Sequence, residues 1–232
     1  MSDGNLIVST FPARPKSGGR FDPDMLFGHW FYQPKYNGWR AFIDLEADLV
    51  FNRHGELMSI GDGFKRAIDS IRYMCLSLGI KHLDAEALER RHDVGRGSLI
   101  LLDLPAVTED LETRMEMLSL VVDPHDINKQ PGAHSVHATP MFSEASARQA
   151  WTWMQQLNNV WGVEFYEGLI AKKAGSEYPT TWKATDTFRH WVKFRFDQFK
   201  VRQAAAPPRA RVTDVLVGRE EANVYQYEGS HN

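Results

Sequence analysis

The segment WRAFIDLEADLVFNRHG, residues 39–55, carries two apolar stretches on either side of Glu46-Ala47-Asp48. Side chains alternate between the faces of a strand, so this segment predicts two strands joined by a hairpin turn. The run that follows changes period. In GFKRAIDSIRYMCLSLG, Phe64, Ala67, Ile68, Ile71, Cys75 and Leu78 recur three or four residues apart and Gly79 stops the pattern, which predicts an amphipathic helix. The same switch repeats along the chain. HWFYQP precedes the hairpin as a strand, and KHLDAEALER and GSLILLDLPA are strands separated by the turn RHDVGRG. EDLETRMEMLSLVV is a second helix, with Leu111, Met115, Leu118 and Val122 in register. HSVHATPMF is extended, SEASARQAWTWMQQLN is a third helix opening on Ser143, and GVEFYEGLIAKKA and HWVKFRFDQFKV return to strands. Strands with helices between and around them indicate an α+β or α/β domain.

The 232 residues suffice for one sizeable domain, and a 43% hydrophobic share with seven Trp and thirteen Phe supplies a core. Residues 1–24, rich in Gly, Pro and Ser, read as an irregular arm, and QAAAPPRAR, residues 203–211, reads as a linker to a short C-terminal extension. The domains expected are therefore the arm 1–24, a main domain 25–202, and the linker and extension 203–232. No signal-peptide pattern opens the chain and no apolar run reaches about eighteen residues, so an intracellular, non-membrane protein is expected. One cysteine, Cys75, rules out a disulfide or zinc framework, and its helical spacing places it in the core.

A net charge of -3 argues against a protein that only coats nucleic acid. The charge is unevenly placed, however. Between Trp182 and Arg211 eight basic residues face two acids, interleaved with Trp191, Phe194, Phe196 and Phe199. That mixture suits phosphate contact with stacking, and it equally describes a half-buried strand with a solvated face.

Taken singly, the candidate residues are undistinguished. Lys35, in QPKYNGWR, reads as a surface lysine on a turn. Asp84 and Glu86 share one face of a strand, where two carboxylates can hold a metal or merely face solvent. Lys172-Lys173, closing YEGLIAKK, suit the protection of an edge strand, although that leaves Glu167 without a reason. GRGS, residues 95–98, lacks the Gly-Lys-Ser/Thr ending of a phosphate loop and reads as a turn. His134 and His137 read as polar residues of an extended segment, and Asp123, His125 and Asp126 as a loop.

Their order is distinctive. KYNGWR at 35–40, NRHG at 52–55, LDAE at 83–86, LLD at 101–103, EGLIAK at 167–172 and WVKFR at 191–195 follow one another along the chain. This set resembles the ordered motifs of the covalent nucleotidyltransferase superfamily, which comprises ATP-dependent DNA ligases, RNA ligases and capping enzymes. The resemblance spans about residues 28–197 and is nearest to the DNA ligases, whose motif is usually Lys-x-Asp-Gly-x-Arg. It implies an α+β, ATP-grasp-like nucleotidyltransferase domain of antiparallel sheets flanked by helices, without a complete OB-fold. About 35 residues follow WVKFRF, where ligases usually continue into that second domain.

By the same resemblance Lys35 is the nucleophile that attacks the α-phosphate of ATP and carries AMP. A free lysine has a pKa near ~10.4, so its cation must be disfavoured by a metal, by neighbouring cations or by burial. Lys172, Lys193 and Arg195 would supply those cations and bind the triphosphate, with Lys193 also catalytic. Gln33 would read the adenine amino group and Glu86 would hold the ribose. Arg40 and Arg53 would contact nucleotide or nucleic-acid phosphates, while Asp84, Glu167 and Asn37 would hold Mg²⁺. Asn37 stands where the family carries aspartate, and Leu101-Leu102 where an aromatic often stacks on adenine. The function implied is an ATP-dependent polynucleotide ligase, DNA before RNA, acting as a monomer on nicked duplex in the cytoplasm of a bacterium or a phage-infected cell. The alternatives are an RNA ligase, a capping guanylyltransferase, and a nucleotide- or nucleic-acid-binding homologue without turnover.

Overall fold

The computed structural model describes residues 11, 12, 14–88, 93–181 and 186–197. The chain divides into Met1–Phe196 and Asp197–Asn232, and of the second unit only Asp197 is described. The expected linker at 203–211 and the C-terminal extension lie outside the described residues.

In chain order the elements are β1 (Phe11–Pro12), β2 (Arg14–Ser17), β3 (Trp30–Tyr36), β4 (Trp39–Asp44), β5 (Leu49–Asn52), α1 (Asp62–Ser77), β6 (His82–Ala87), β7 (Leu99–Asp103), α2 (Leu111–Val121), β8 (Val136–Ala138), α3 (Glu144–Trp161), β9 (Tyr166–Lys173), β10 (Thr180–Thr181) and β11 (Thr187–Arg195). A short 3-10 turn covers Pro23–Met25. Each strand and helix predicted between residues 29 and 197 is present, and the fold is mixed α+β. The hairpin turns at Glu46–Asp48, where the Asp44 carboxylate accepts from the backbone N–H groups of Glu46 and Ala47, both at 3.0 Å. Part of the supposed arm is ordered, because β2 pairs in parallel with β11.

Two sheets carry the architecture. The first has the order β2-β11-β9-β3 and the second β5-β4-β6-β7-β8; β1 and β10 form a separate antiparallel pair. Antiparallel pairing dominates, yet β2–β11 and β7–β8 are parallel, so both sheets are mixed. The second sheet buries its outer face against α1 and α2. Ala41, Ile43, Leu83, Ala85, Leu99 and Leu101 meet Phe64, Ile68, Ile71 and Cys75 of α1 and Leu111, Met115 and Leu118 of α2. That is the stripe-on-pleat packing the two periods require. Cys75 is core, and burial pushes its thiol up to about 11. Helix α3 packs on the first sheet at β9 and β3, with Trp151 stacked on Phe21 at 4.5 Å and edge-on to Phe196 at 4.5 Å. Ser143 caps α3 by backbone conformation alone, its hydroxyl meeting that of Ser146.

Three local expectations change. Lys35 lies on strand β3 rather than on a turn, because β3 stays paired with β9 through Tyr36 and the chain reverses only at Asn37-Gly38. The lysines of YEGLIAKK protect no edge, since β9 lies between β11 and β3. His134 has φ 60 and belongs to a turn; a Cβ built on Gly63 or Gly97 would sit 2.7 or 2.5 Å from its ring, so the imidazole fills the space above both glycines.

Register decides which faces meet. Gln33 lies opposite Ile170 and Lys35 opposite Gly168, while on the other side of β9 Trp191, Lys193 and Arg195 lie opposite Lys172, Ile170 and Gly168. The inner face of the first sheet therefore presents Gln33, Lys35, Ile170, Lys172, Trp191, Lys193 and Arg195. On the second sheet, Arg40 opposes Glu86 and Phe42 opposes Asp84, which opposes Asp103. Each sheet holds one irregularity at the centre of this arrangement: Glu167 is the extra residue between the Lys35 and Tyr36 pairings, and Leu102 the extra residue beside Asp84 and Ala85. Such bulges re-aim side chains.

Gly168 is required where β11, β9 and β3 meet. Its φ is +145, and an added Cβ would sit 2.1 Å from the Phe194 carbonyl oxygen and 2.9 Å from the Arg195 Cα. Both obstacles are backbone, which cannot swing aside. Gly168→Ala is expected to destabilise the domain by about 2 kcal/mol or more, read as a lower midpoint in urea-unfolding curves; an unchanged midpoint would refute the packing described.

Candidate active site

The two inner faces enclose a cleft lined with charge. At its centre the Lys35 ammonium donates to Glu167 Oε2, and the same oxygen accepts from Arg195 Nε at 3.2 Å. The Lys35 side chain keeps 18% of its exposure, which leaves the amine reachable from the cleft. The bulge places Glu167 here, since strict alternation would send its side chain to the opposite face from Gly168.

Glu86 approaches from the second sheet. Its Oε1 accepts the Gly38 N–H at 2.9 Å, and a Cβ on Gly38 would lie 2.5 Å from the Ala87 carbonyl oxygen, so glycine is needed where the turn lies against β6. Burial pushes the Glu86 carboxyl up to about 7; the Lys35 charge opposes this and the Glu167 charge adds to it.

Asn37 has its own local reason. Its Nδ2 donates to the Glu164 carbonyl at 2.8 Å, a bond that an aspartate cannot make. Its Oδ1 is buried with no partner among the described residues.

Four residues expected to meet ligand, Asp84, Arg40, Gln33 and Lys172, already have partners within the protein. Asp84 takes a two-pronged contact from Arg40, Nε to Oδ1 at 2.8 Å and NH2 to Oδ2 at 2.6 Å, and Tyr178 donates to Oδ2 at 3.0 Å. Both carboxylate oxygens are thus engaged within the protein. Arg40, expected on phosphate, is held charged by Asp84 against the cost of burial and lies 5.6 Å over the Trp191 ring. Gln33 is buried, and its amide nitrogen donates to the Leu102 carbonyl at 3.4 Å and faces the Met115 sulfur at 3.3 Å, so the edge expected to read adenine is turned to β7 and α2.

Lys172, also expected on phosphate, donates to Asp103 Oδ2 at 2.7 Å and to the Leu102 carbonyl at 3.0 Å, with its ammonium 4.4 Å over Trp191. On the far side of Asp103, Arg114 Nε contacts Oδ1 at 2.6 Å and NH2 contacts Oδ2 at 3.3 Å. Burial disfavours the Asp103 charge, yet Lys172 and Arg114 together hold its carboxyl below the usual range. Arg114 was not expected here. It is fully buried on the same stripe as Leu111, Met115 and Leu118, and a charge on an apolar stripe is the signal that would have found it. Tyr178 and Arg14 were missed likewise.

The outer wall is cationic. Lys193 is half-buried, and its pKa is lowered by burial and then by the charges of Arg195, Lys35, Arg14 and Arg53. No carboxylate among the described residues lies within ion-pairing distance of it. Cations pressed together this way suit a polyanion such as a triphosphate. Among the described residues no group of three His, Cys, Asp or Glu side chains is placed to hold a metal by itself. Mg²⁺ usually keeps several waters and takes one or two carboxylates plus substrate phosphates, a mode that Glu167 beside Lys35 fits. No described helix is long and apolar enough to cross a membrane.

No family model matches the chain, and no curated protein matches it by sequence. Solved structures do. The chain is similar to the ligase domain of LigD from M. tuberculosis (17% identity, TM-score 0.50, covering 81% of this chain and 60% of that one). It is similar to mycobacterial DNA ligase D complexed with ATP and MES (18%, TM-score 0.51, 81% and 60%). It is also similar to an archaeal ATP-dependent RNA ligase (14%, TM-score 0.52, 94% and 59%). The chain spans about three fifths of the length of each. Its fold is that of the nucleotidyltransferase domain of ATP-dependent ligases.

The raised pKa of Glu86 has a consequence for stability. Its folded value, about 7, lies above that of the unfolded chain, so the folded state binds the extra proton. The stabilisation is complete below the unfolded carboxyl pKa of about 4.3 and is lost as pH rises toward 7. Glu86→Gln should remove this dependence, and the wild-type minus variant difference in urea-unfolding free energy should fall between pH 4.5 and 7. A flat difference would show that Glu86 is not held in this way.

Proposed function

We propose that this chain is an ATP-dependent polynucleotide ligase that seals nicks in duplex DNA through AMP carried on Lys35. The observation that carries this reading is the placement of one reachable lysine among Glu167, Arg195, Lys193 and Glu86, at the junction of two sheets with the ligase fold.

The chemistry follows from the contacts. Glu167 is ion-paired with the Lys35 ammonium, which is not a nucleophile. The ammonium must give up its proton before it can attack. The neutral amine attacks the α-phosphorus of ATP; a P–N bond forms, the bond to the bridging oxygen breaks, and pyrophosphate departs. Lys193 and Arg195 take up the charge moving onto that leaving group. Bound Mg²⁺, with Glu167 among its ligands, would neutralise phosphate charge, and Glu86 would hold the ribose. A 5′-phosphate oxygen at the nick then displaces Lys35 from AMP, the amine regains its proton, and the 3′-hydroxyl attacks the activated 5′-phosphate with release of AMP. Each step is phosphoryl or nucleotidyl transfer, in which positioning and charge neutralisation dominate.

DNA is placed ahead of RNA on the Gly38-Trp39-Arg40 ending of the lysine motif, which resembles DNA ligases. Incubation with α-labelled ATP and Mg²⁺ is expected to leave label on the protein that survives denaturing electrophoresis. Lys35→Ala should abolish it, and an unlabelled wild type would defeat the enzyme reading. On nicked duplexes that differ only in DNA or RNA strands, sealing should be at least about tenfold faster on all-DNA, a transition-state difference of ~1.4 kcal/mol. The reverse order would make the protein an RNA ligase.

A further inference from the structure

Arg14 stands outside the motif set and outside the roles assigned above. It lies on β2, in the region that reads from sequence as an irregular arm, and its backbone N–H donates to the Asp186 carbonyl at 3.0 Å. Strand β2 pairs in parallel with β11, the strand that presents Lys193 and Arg195, and the Gly18 N–H donates to the Lys193 carbonyl at 3.0 Å. The Arg14 charge is among those that depress Lys193, so its guanidinium lies near enough to the cationic wall to act on it.

The contacts of Arg14 leave a donor without an acceptor. One Nη contacts Nδ1 of His54 at 3.3 Å, while Arg53 Nε contacts Nε2 of the same ring at 3.1 Å. A neutral imidazole has one acceptor nitrogen and a protonated one has none, so the ring cannot accept fully from both guanidinium groups. The Nε of Arg14 is buried and has no partner among the described residues. Glu56, the acid on the same turn, accepts at 2.7 Å from Asn52. A buried guanidinium N–H without an acceptor is costly, and phosphate oxygens match the planar fork of arginine.

We propose that Arg14 is a phosphate-binding residue that extends the cationic wall of Lys193 and Arg195 to the sheet edge. Its ligand is either the terminal phosphates of the bound nucleotide or the 5′-phosphate of the polynucleotide. Assigning the ligand to those two sources rests on the ligase reading; the phosphate chemistry itself does not.

Calorimetric titration with inorganic tripolyphosphate at low ionic strength tests the assignment without any catalytic step. Relative to wild type, Arg14→Gln should bind about tenfold more weakly and Arg14→Lys should be intermediate, while Lys65→Gln on α1 should bind as wild type does. Thermal melts report whether each variant is folded. If Arg14→Gln does not fold, Arg14→Lys carries the comparison, since it keeps the charge and loses the fork. Equal affinity of a folded variant and wild type, or no binding by wild type, overturns the proposal and leaves Arg14 as a clasp between β2 and the β5 turn. The source is then read from two rates. Slower labelling of Lys35 by ATP, with unchanged sealing of a pre-adenylated nick, places Arg14 on the nucleotide. The converse places it on the polynucleotide, and a fall in both supports contact with each in turn. Weakened tripolyphosphate binding with both rates unchanged overturns a role in the site. An unlabelled wild type would defeat the ligase reading and leave the tripolyphosphate comparison standing.

Discussion

Asp103 holds the two sheets in register. It ends β7 in the second sheet, yet its carboxylate is shared between Lys172 from β9 of the first sheet and Arg114 from α2. All three side chains are nearly or wholly excluded from solvent. Removing Asp103 would leave two buried cations without their carboxylate, and breaking such a set typically costs ~3–5 kcal/mol. The remaining contacts across the cleft depend on the separation it sets. Gln33 reaches the Leu102 carbonyl beside it, and Arg40 comes to lie over the Trp191 ring, which Lys172 also approaches. The cleft is thus braced by ions at its closed end and left open at Lys35.

The open end is governed by an imbalance of charge. The charges of Arg195, Lys35, Arg14 and Arg53 all act on Lys193, while Glu167 pairs with Lys35 and Arg195 and burial pushes the Glu86 carboxyl up to about 7. A wall with this excess of positive charge suits a polyanion. The bulge in the first sheet is what makes the arrangement possible, because it turns Glu167 onto the face that alternation assigns to its neighbour Gly168. Gly168 in turn removes the side chain that would block the approach of Arg195 and Phe194.

The elements themselves were legible. Helical spacing located α1, α2 and α3, and the apolar runs located the strands, because burial on one face leaves its period in the order of residues. Of the residues in the ordered motifs, Lys35, Lys172, Lys193 and Arg195 share the inner face of the first sheet. Their partners were not legible. Arg114 looked like an ordinary charge on a helix, although its position on the apolar stripe marked it. Asp84 and Lys172 looked like exposed ligands and proved to be buried members of ion pairs. Lys35 itself looked like a turn residue because its neighbours Asn37 and Gly38 are turn-formers.

What the sequence determined by itself is the succession of strands and helices and the order of the charged motifs, since period and order are properties of the chain alone. Only the tertiary structure decided which of those charges neutralise one another and which remain for a ligand. Pairing of that kind depends on register between strands far apart in the chain, on two one-residue bulges, and on burial. A shift of a single residue in β9 would send Lys172 to the opposite face and leave Asp103 with Arg114 alone.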